Sequence, residues 1–391
     1  MKSCLLRAAA LLSLVFAPIL KSQLAQGHTA DHPPQYVVLA FDGSKSLSMW
    51  QETRQFAKDM TAAGRPLKFT YFINAAYYLA ENYKKSYIAP GLGAGKSAIG
   101  FGGNVSDIRA RYDQTNLAFL EGNEIANHAA GHFDGSHWTA VQWKSEFNQF
   151  YDILFNVFKF NHTQPTAAFA KGWTFGRDEI IGFRAPQLGL NQAMYSVLPS
   201  FGIQYDTSQS TSPNYWPRKN AQGIWNFPLA EVRVAGTSIK TLSMDYNFYY
   251  VQSHAKEDPA HGAQFEEQMF QTYMTYFQGN YNGNRAPINI GHHFSKWNGG
   301  AYWRAMKRFA QKVCGQPEVK CVTYRDLTKY LNGLDPKRLA SFDGDGSSDT
   351  EPVDIAALDD SENESDFGLS IKVDLNDEKL FIADPPEAHD E

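Results

Sequence analysis

The stretch Tyr36-Val37-Val38-Leu39-Ala40-Phe41-Asp42-Gly43-Ser44 sets the reading of the whole chain. An apolar run without polar alternation suits a strand covered on both faces, and this one stops abruptly at a carboxylate and a glycine. A helical pattern follows at 47–63, with Trp50, Phe56 and Met60 on one face and Gly64 as its stop, and 67–73 reads as the next strand. Strands at 180–183, 202–205, 238–244, 288–291 and 321–323 alternate with helices at 139–158, 191–199, 265–277, 302–313 and 326–331. Such alternation predicts a mostly parallel α/β sheet or barrel. Residues 90–115 are rich in glycine and read as a long loop over the rim of a pocket. Within them Gly95-Lys96-Ser97 is not a phosphate-binding loop, because Pro90 stands where that motif needs its first glycine.

Polar residues fall just past predicted strand ends: Asp42, His128, Arg184, Asp206 and His293. In α/β barrels catalytic groups collect at that end, because the loops there converge on one mouth. Singly, an Asp in such a place is more often a turn residue and a His a structural one; their joint position points to a site. His128 and His132 stand four apart, and on a helical turn that spacing brings two imidazoles to metal-binding separation. A zincin-type protease is disfavoured because Ala129 occupies the position of the required Glu. His292 and His293 are adjacent, so on a strand they face opposite ways and one of them enters the mouth.

Composition bounds the setting. The chain has 391 residues, 43% of them apolar, enough for one full-sized core. Its 27 Phe, 20 Tyr and 8 Trp leave some aromatics for stacking on sugar rings, although most belong to a core. A short basic start, an apolar stretch at 8–20 and small residues at Ala25 and Gly27 read as a secretory signal over 1–27, with an uncleaved anchor as the competing reading. The protein is then exported, to periplasm, cell wall or outside the cell, with no later membrane span. Cys314 and Cys321 are expected to pair in that setting rather than remain free thiols. The net charge of −5 hides a division: residues 341–391 hold 17 acidic residues against Lys372 and Lys379, leaving the rest with 24 acidic and 34 basic ones. A basic body suits an anionic polymer such as cell wall, and nucleic acid is not an expected partner. The acidic tail reads as a solvated, disordered extension, with shielding of the body as the other reading.

The order and spacing of these motifs resemble the polysaccharide deacetylases, the NodB-homology domain of carbohydrate esterase family four, in an extended form like that of chitin deacetylase-like proteins. The resemblance runs over 35–335: Ala40-Phe41-Asp42-Gly43, the segment 122–132 with its two histidines, Phe183-Arg184-Ala185-Pro186-Gln187, Tyr205-Asp206-Thr207-Ser208, and 288–293. It implies a distorted (β/α) barrel. It also implies hydrolysis of the acetamide of N-acetylglucosamine units in peptidoglycan or a chitin-like polysaccharide, with a divalent ion, zinc foremost, on His128 and His132. Asp42 would be the base, Arg184 its partner, and His293 (or His292) the acid, with Asp206 adjusting the acid. Trp138, Pro186, Tyr215, Trp216 and Trp297 would line the sugar site. Two departures stand out. The family's second aspartate, a metal ligand, is Gly43 here, and Gln187 stands where a Tyr is usual. Ser44, Ser46 or Asp134 could offer the missing oxygen. A non-catalytic, glycan-binding relative that has lost its metal ligand is the competing reading.

Overall fold

The computed structural model describes residues 32–342. The expected signal at 1–27 and the acidic tail beyond Phe342 lie outside the described residues. The expected α/β barrel is present, distorted and closed by a second sheet. In chain order the elements are β1 (Gln35–Asp42), α1 (Leu47–Ala62), β2 (Phe69–Ile73), α2 (Val105–Leu120), β3 (Glu124–Asn127), α3 (Ala140–Phe155), α4 (Val157–Phe160), β4 (Gly182–Phe183), α5 (Gln192–Val197) and β5 (Tyr205–Asp206). They continue with β6 (Ser210–Thr211), β7 (Arg218–Lys219), β8 (Trp225–Asn226), β9 (Leu229–Arg233), β10 (Lys240–Leu242), α6 (Asp245–Ser253), α7 (Gly262–Asn282), β11 (Ile288–His293), α8 (Trp297–Val313), β12 (Val319–Cys321), α9 (Tyr324–Asn332) and α10 (Pro336–Ala340).

The main sheet runs β11-β1-β2-β3-β4-β5-β8-β7, with β12 beside the start of β1, and its central pairs are parallel. The smaller sheet, β10-β9-β6, bridges back to β11, where Gly291 N donates to Ser243 O at 2.9 Å. All eight residues of β1 are buried, as its apolar run requires. Alternation sends Val37, Leu39 and Phe41 to a core shared with α1, α3, α7 and α8, while Tyr36, Val38 and Ala40 turn to the barrel interior. There they meet Phe72, Tyr205, Phe227 and the inner face of α9, through Tyr324, Leu327 and Leu331.

Register places the strand ends on one rim. Asp42 lies opposite His293 on one side and Phe72 on the other, Ile73 opposite Asn127, Asn127 opposite Phe183, and Phe183 opposite Asp206. Residues 90–115 differ from the loop expected. The glycines at 100–103 end just before α2, which starts on an Asn104/Asp107 capping box and runs 16 residues. That box satisfies amides at both ends of the first turn and outweighs the glycine-rich approach. Among the described residues no helix is long and apolar enough to cross a membrane.

Cys314, capping α8, is bonded to Cys321 at the end of β12, with Cα atoms 5.8 Å apart. The bond closes a short loop and ties the last long helix to the edge of β1. From the loop length, the Cys314→Ser/Cys321→Ser double variant is expected to lose about 2.5 kcal/mol of stability. Urea unfolding of the two proteins under non-reducing conditions measures the difference.

Candidate active site

Asp42 is the last residue of β1 and faces the interior; its side chain is almost inaccessible. Arg184, directly after β4, reaches across the barrel to it, with Nη1 2.7 Å from Asp42 Oδ1. The guanidinium is held on its other sides: Nε donates to Thr207 Oγ1 at 2.6 Å, Nη2 to Tyr324 OH at 3.3 Å, and Cζ lies 4.5 Å from the centroid of the Phe72 ring. Asp42 Oδ2 is buried and accepts no hydrogen bond among the described residues. A carboxylate held by one oxygen with the other unbonded is suited to taking a proton.

His293 is opposite Asp42 in register and shares its face. Its Nδ1 is 2.6 Å from Asp245 Oδ1, and its backbone N–H donates to Asp245 Oδ2 at 2.9 Å. Asp245, the first residue of α6, thus holds His293 by its ring with one carboxylate oxygen and by its backbone with the other. Burial pushes the Asp245 carboxyl up, but the imidazoles of His293 and His292 outweigh it and hold the group below the usual carboxylate range. This corrects the expectation for Asp206. On β5, Tyr205 turns inward and Asp206 outward, where it accepts from Ser208 Oγ at 2.6 Å and from Tyr195 OH of α5 at 3.0 Å. Burial raises the Asp206 carboxyl to about 6 against these bonds. Asp206 braces the β4–β5 rim rather than His293. A signal for Asp245 was legible: it follows the predicted strand 238–244 directly, the same strand-end position that singled out the other candidates.

Alternation also separates the two histidines. His292 packs against Phe41 and Tyr273 on the helix side, with Nε2 3.2 Å from Tyr273 OH, so it lies away from the mouth. Burial depresses it to about 4, opposed by Asp245.

His128 and His132 are not on a helix. β3 ends at Asn127, and the pair sits on a loop in which Ala129 and His132 both have φ 59°. The ring centroids are 4.9 Å apart. His128 Nδ1 is 2.8 Å from the carbonyl oxygen of Arg184, so that nitrogen carries the proton and Nε2 the lone pair. A backbone acceptor on the far nitrogen is the usual support of a metal-ligating histidine. The donor set fits a divalent ion as far as these two imidazoles. Gly43 adds no side chain and has φ 80°, and among the described residues no three His, Cys, Asp or Glu side chains converge on one point. Of the oxygens considered, Ser46 Oγ caps α1 and Asp134 Oδ1 accepts from Ser136 N at 2.8 Å, while Ser44 lies buried beyond Gly43.

The sugar-site residues divide. Trp297 contacts His293 at 5.3 Å between centroids and stacks on Tyr249 at 5.0 Å. With Lys45, Phe294 and Lys296 it borders a cavity of about 430 Å³ beside the site. Trp138, half-buried, rests on Trp143 next to the histidine loop. Pro186 is buried and opens a tight turn in which Gln187 has φ 54°, and Gln187 Nε2 reaches His132 O at 3.4 Å. Trp216 is a correction: it is fully buried against Phe342, its Nε1 bonded to Asn284 O. Asn280 and Asn284 tie 213–214 to the segment entering β11, so Tyr215 and Trp216 lie at the opposite end of the strands from Asp42. Their nearness in sequence to 205–208 misleads because the chain crosses the barrel in between.

The chain matches no protein-family model and no curated protein. Its structure is similar to solved ones of low identity. A candidate polysaccharide deacetylase from Mycobacterium smegmatis has 13% identity and a TM-score of 0.49, over 78% of this chain and 93% of that one. A family 4 carbohydrate esterase from Streptomyces lividans has 15% and 0.36, over 73% and 90%. The peptidoglycan deacetylase PdaC from Bacillus subtilis has 11% and 0.38, over 76% and 93%. The likeness is one of chain path, and the chemistry rests on this chain's own residues.

The depressed His292 makes stability pH-dependent. Its contribution is full above the unfolded value of 6.5 and is lost as pH falls toward 4, because the unfolded chain takes up a proton that the folded one does not. His292→Gln is expected to flatten the fall in stability between pH 6.5 and 4, read by urea midpoints across that range.

Proposed function

We propose that the chain is an exported hydrolase that removes acetyl groups from N-acetylglucosamine units of a polysaccharide such as peptidoglycan or a chitin-like polymer. One observation carries this reading: Asp42 and His293 face each other in register on adjacent strands, one braced by Arg184 and the other by Asp245. A carboxylate and an imidazole so placed divide the roles of base and acid. Asp42 Oδ2 takes the proton of the attacking water, while Arg184, bonded to Oδ1, fixes the orientation of the carboxylate. His293, whose Nδ1–H is held by Asp245, presents Nε2 and delivers a proton to the departing amine. Acetate and the free amine are the products. Trp297, buried between Tyr249 and His293, borders the cavity beside the site that a sugar would enter. Zinc or another divalent ion held by His128 and His132 would supply Lewis-acid polarisation of the acetyl carbonyl.

Gly43 favours a second reading, a glycan-binding protein without turnover. The two readings part on acetate release from chitooligosaccharide and peptidoglycan, measured with added zinc. Release by the native chain, falling about 100-fold or more in Asp42→Asn, is expected. No release from a chain that still binds the oligosaccharide establishes the second reading.

Restoring the carboxylate tests the half-built metal site separately. Gly43→Asp is expected to tighten zinc binding by tenfold or more by calorimetry, at a folding cost of about 1 kcal/mol for the left-handed backbone.

A further inference from the structure

The loop that carries the two histidines has no regular secondary structure, yet its backbone is engaged at every residue from His128 to Gly131. His128 N donates to Ile73 O at 3.0 Å, and Ala129 N to Asn127 Oδ1 at 2.7 Å. On the carbonyl side, Ala75 N and Ala76 N donate to Ala129 O and Ala130 O at 3.2 and 3.0 Å, and Ala98 N to Gly131 O at 2.9 Å. The remaining amides, Ala130 N and Gly131 N, both point at one atom, Oε1 of Glu146, at 2.8 Å each.

Glu146 is a fully buried carboxylate in the middle of α3, on the face that also packs Trp143, Phe147 and Phe150 into the core. Its other oxygen accepts from Tyr87 OH at 2.7 Å. Tyr87 lies over the loop so closely that a Cβ on Gly131 would sit 2.3 Å from its hydroxyl, which makes glycine obligatory there. A buried charge is costly to desolvate, and burial does raise this carboxyl against its three hydrogen bonds. An apolar residue would serve α3 as well if packing were the only demand.

We propose that Glu146 is a positioning residue for the site: its carboxylate, aligned by Tyr87, fixes the turn between His128 and His132 and thereby the separation and aim of the two imidazoles. The role rests on the reading of that pair as part of the hydrolytic site. Two positive-φ residues in five leave the loop with little preference for its own shape, and the acceptor at its centre supplies what local propensity does not. Because both amides use the same oxygen, the demand is for a two-lone-pair acceptor at that point rather than for negative charge. Glutamine meets it: its carbonyl takes both N–H groups and its amide faces a Tyr87 hydroxyl that can turn to accept.

Three variants of the full chain test this: Glu146→Ala, Glu146→Gln and Glu146→Asp. Amide hydrogen exchange at Ala130 and Gly131 is expected to quicken about 10- to 100-fold in Glu146→Ala, with β1 amides unchanged, and to stay near native in Glu146→Gln. Long-range proton–nitrogen spectra should keep His128 in its Nδ1–H form in the native chain and Glu146→Gln, and show a mixture in Glu146→Ala. Acetate-release kcat is expected to fall about 10- to 100-fold in Glu146→Ala with KM little moved, and to recover in Glu146→Gln. If Glu146→Ala does not fold, Glu146→Asp, one methylene short, makes the same comparison. Native exchange and a native His128 form in Glu146→Ala, or Glu146→Gln as impaired as Glu146→Ala, overturns the proposal. The exchange and spectral arms stand even if the native chain releases no acetate, which separates this inference from the proposed activity.

Discussion

The ion pair between Asp42 and Arg184 is the contact on which the centre of this molecule depends. Both side chains are almost wholly out of water, and each would be strongly destabilising alone, by about 3–5 kcal/mol for an abandoned partner. The two can meet only if β1 and β4, separated in the sheet by β2 and β3, end on the same rim, with Asp42 at the end of β1 and Arg184 just after β4 both turned inward. Register supplies this strand by strand, from Asp42 to Phe72, from Ile73 to Asn127 and from Asn127 to Phe183. A slip of one residue in any pairing would turn Asp42 or Arg184 into the helix-side core, so the pair and the barrel specify one another.

The same alternation sorts the polar residues near the rim into two classes. Inward ones, Asp42, Arg184 and His293, meet each other or a counter-charge across the interior. Outward ones, His292 and Asp206, are held by Tyr273 and by Tyr195 and Ser208 on the helix side. Burial shifts the outward groups toward their neutral forms, His292 down and Asp206 up. Beside the interior group Asp245 the imidazoles outweigh burial and favour the charged form.

The histidine loop follows a different logic from the strands. Its conformation is imposed from outside, by Asn74 and Asn127, by the segment at 75–76, by Arg184 through its carbonyl and by the buried Glu146. Arg184 therefore serves two parts of the site at once, its side chain on Asp42 and its backbone carbonyl on His128. Against this close support, Gly43 contributes no side chain, in a left-handed conformation with φ 80°.

Sequence by itself determined the barrel, because continuous apolar runs alternating with helical patterns have few other ways to be buried, and it determined Asp42, Arg184, His128 and His293 as rim residues, because each follows a strand, with His132 singled out by its spacing from His128. It also determined the Cys314–Cys321 pair, from parity and the expected compartment. Tertiary structure alone decided which carboxylate serves His293, since Asp245 and Asp206 follow predicted strands equally and only the twist and register of distant strands choose between them. It alone removed Tyr215 and Trp216 to the far end of the barrel. It alone made the histidine loop a loop, because a spacing of four is compatible with a helix and the acceptor that forbids one, Glu146, comes from another element. Local pattern specifies where a strand ends; which side chains then meet is set by partners remote in the chain.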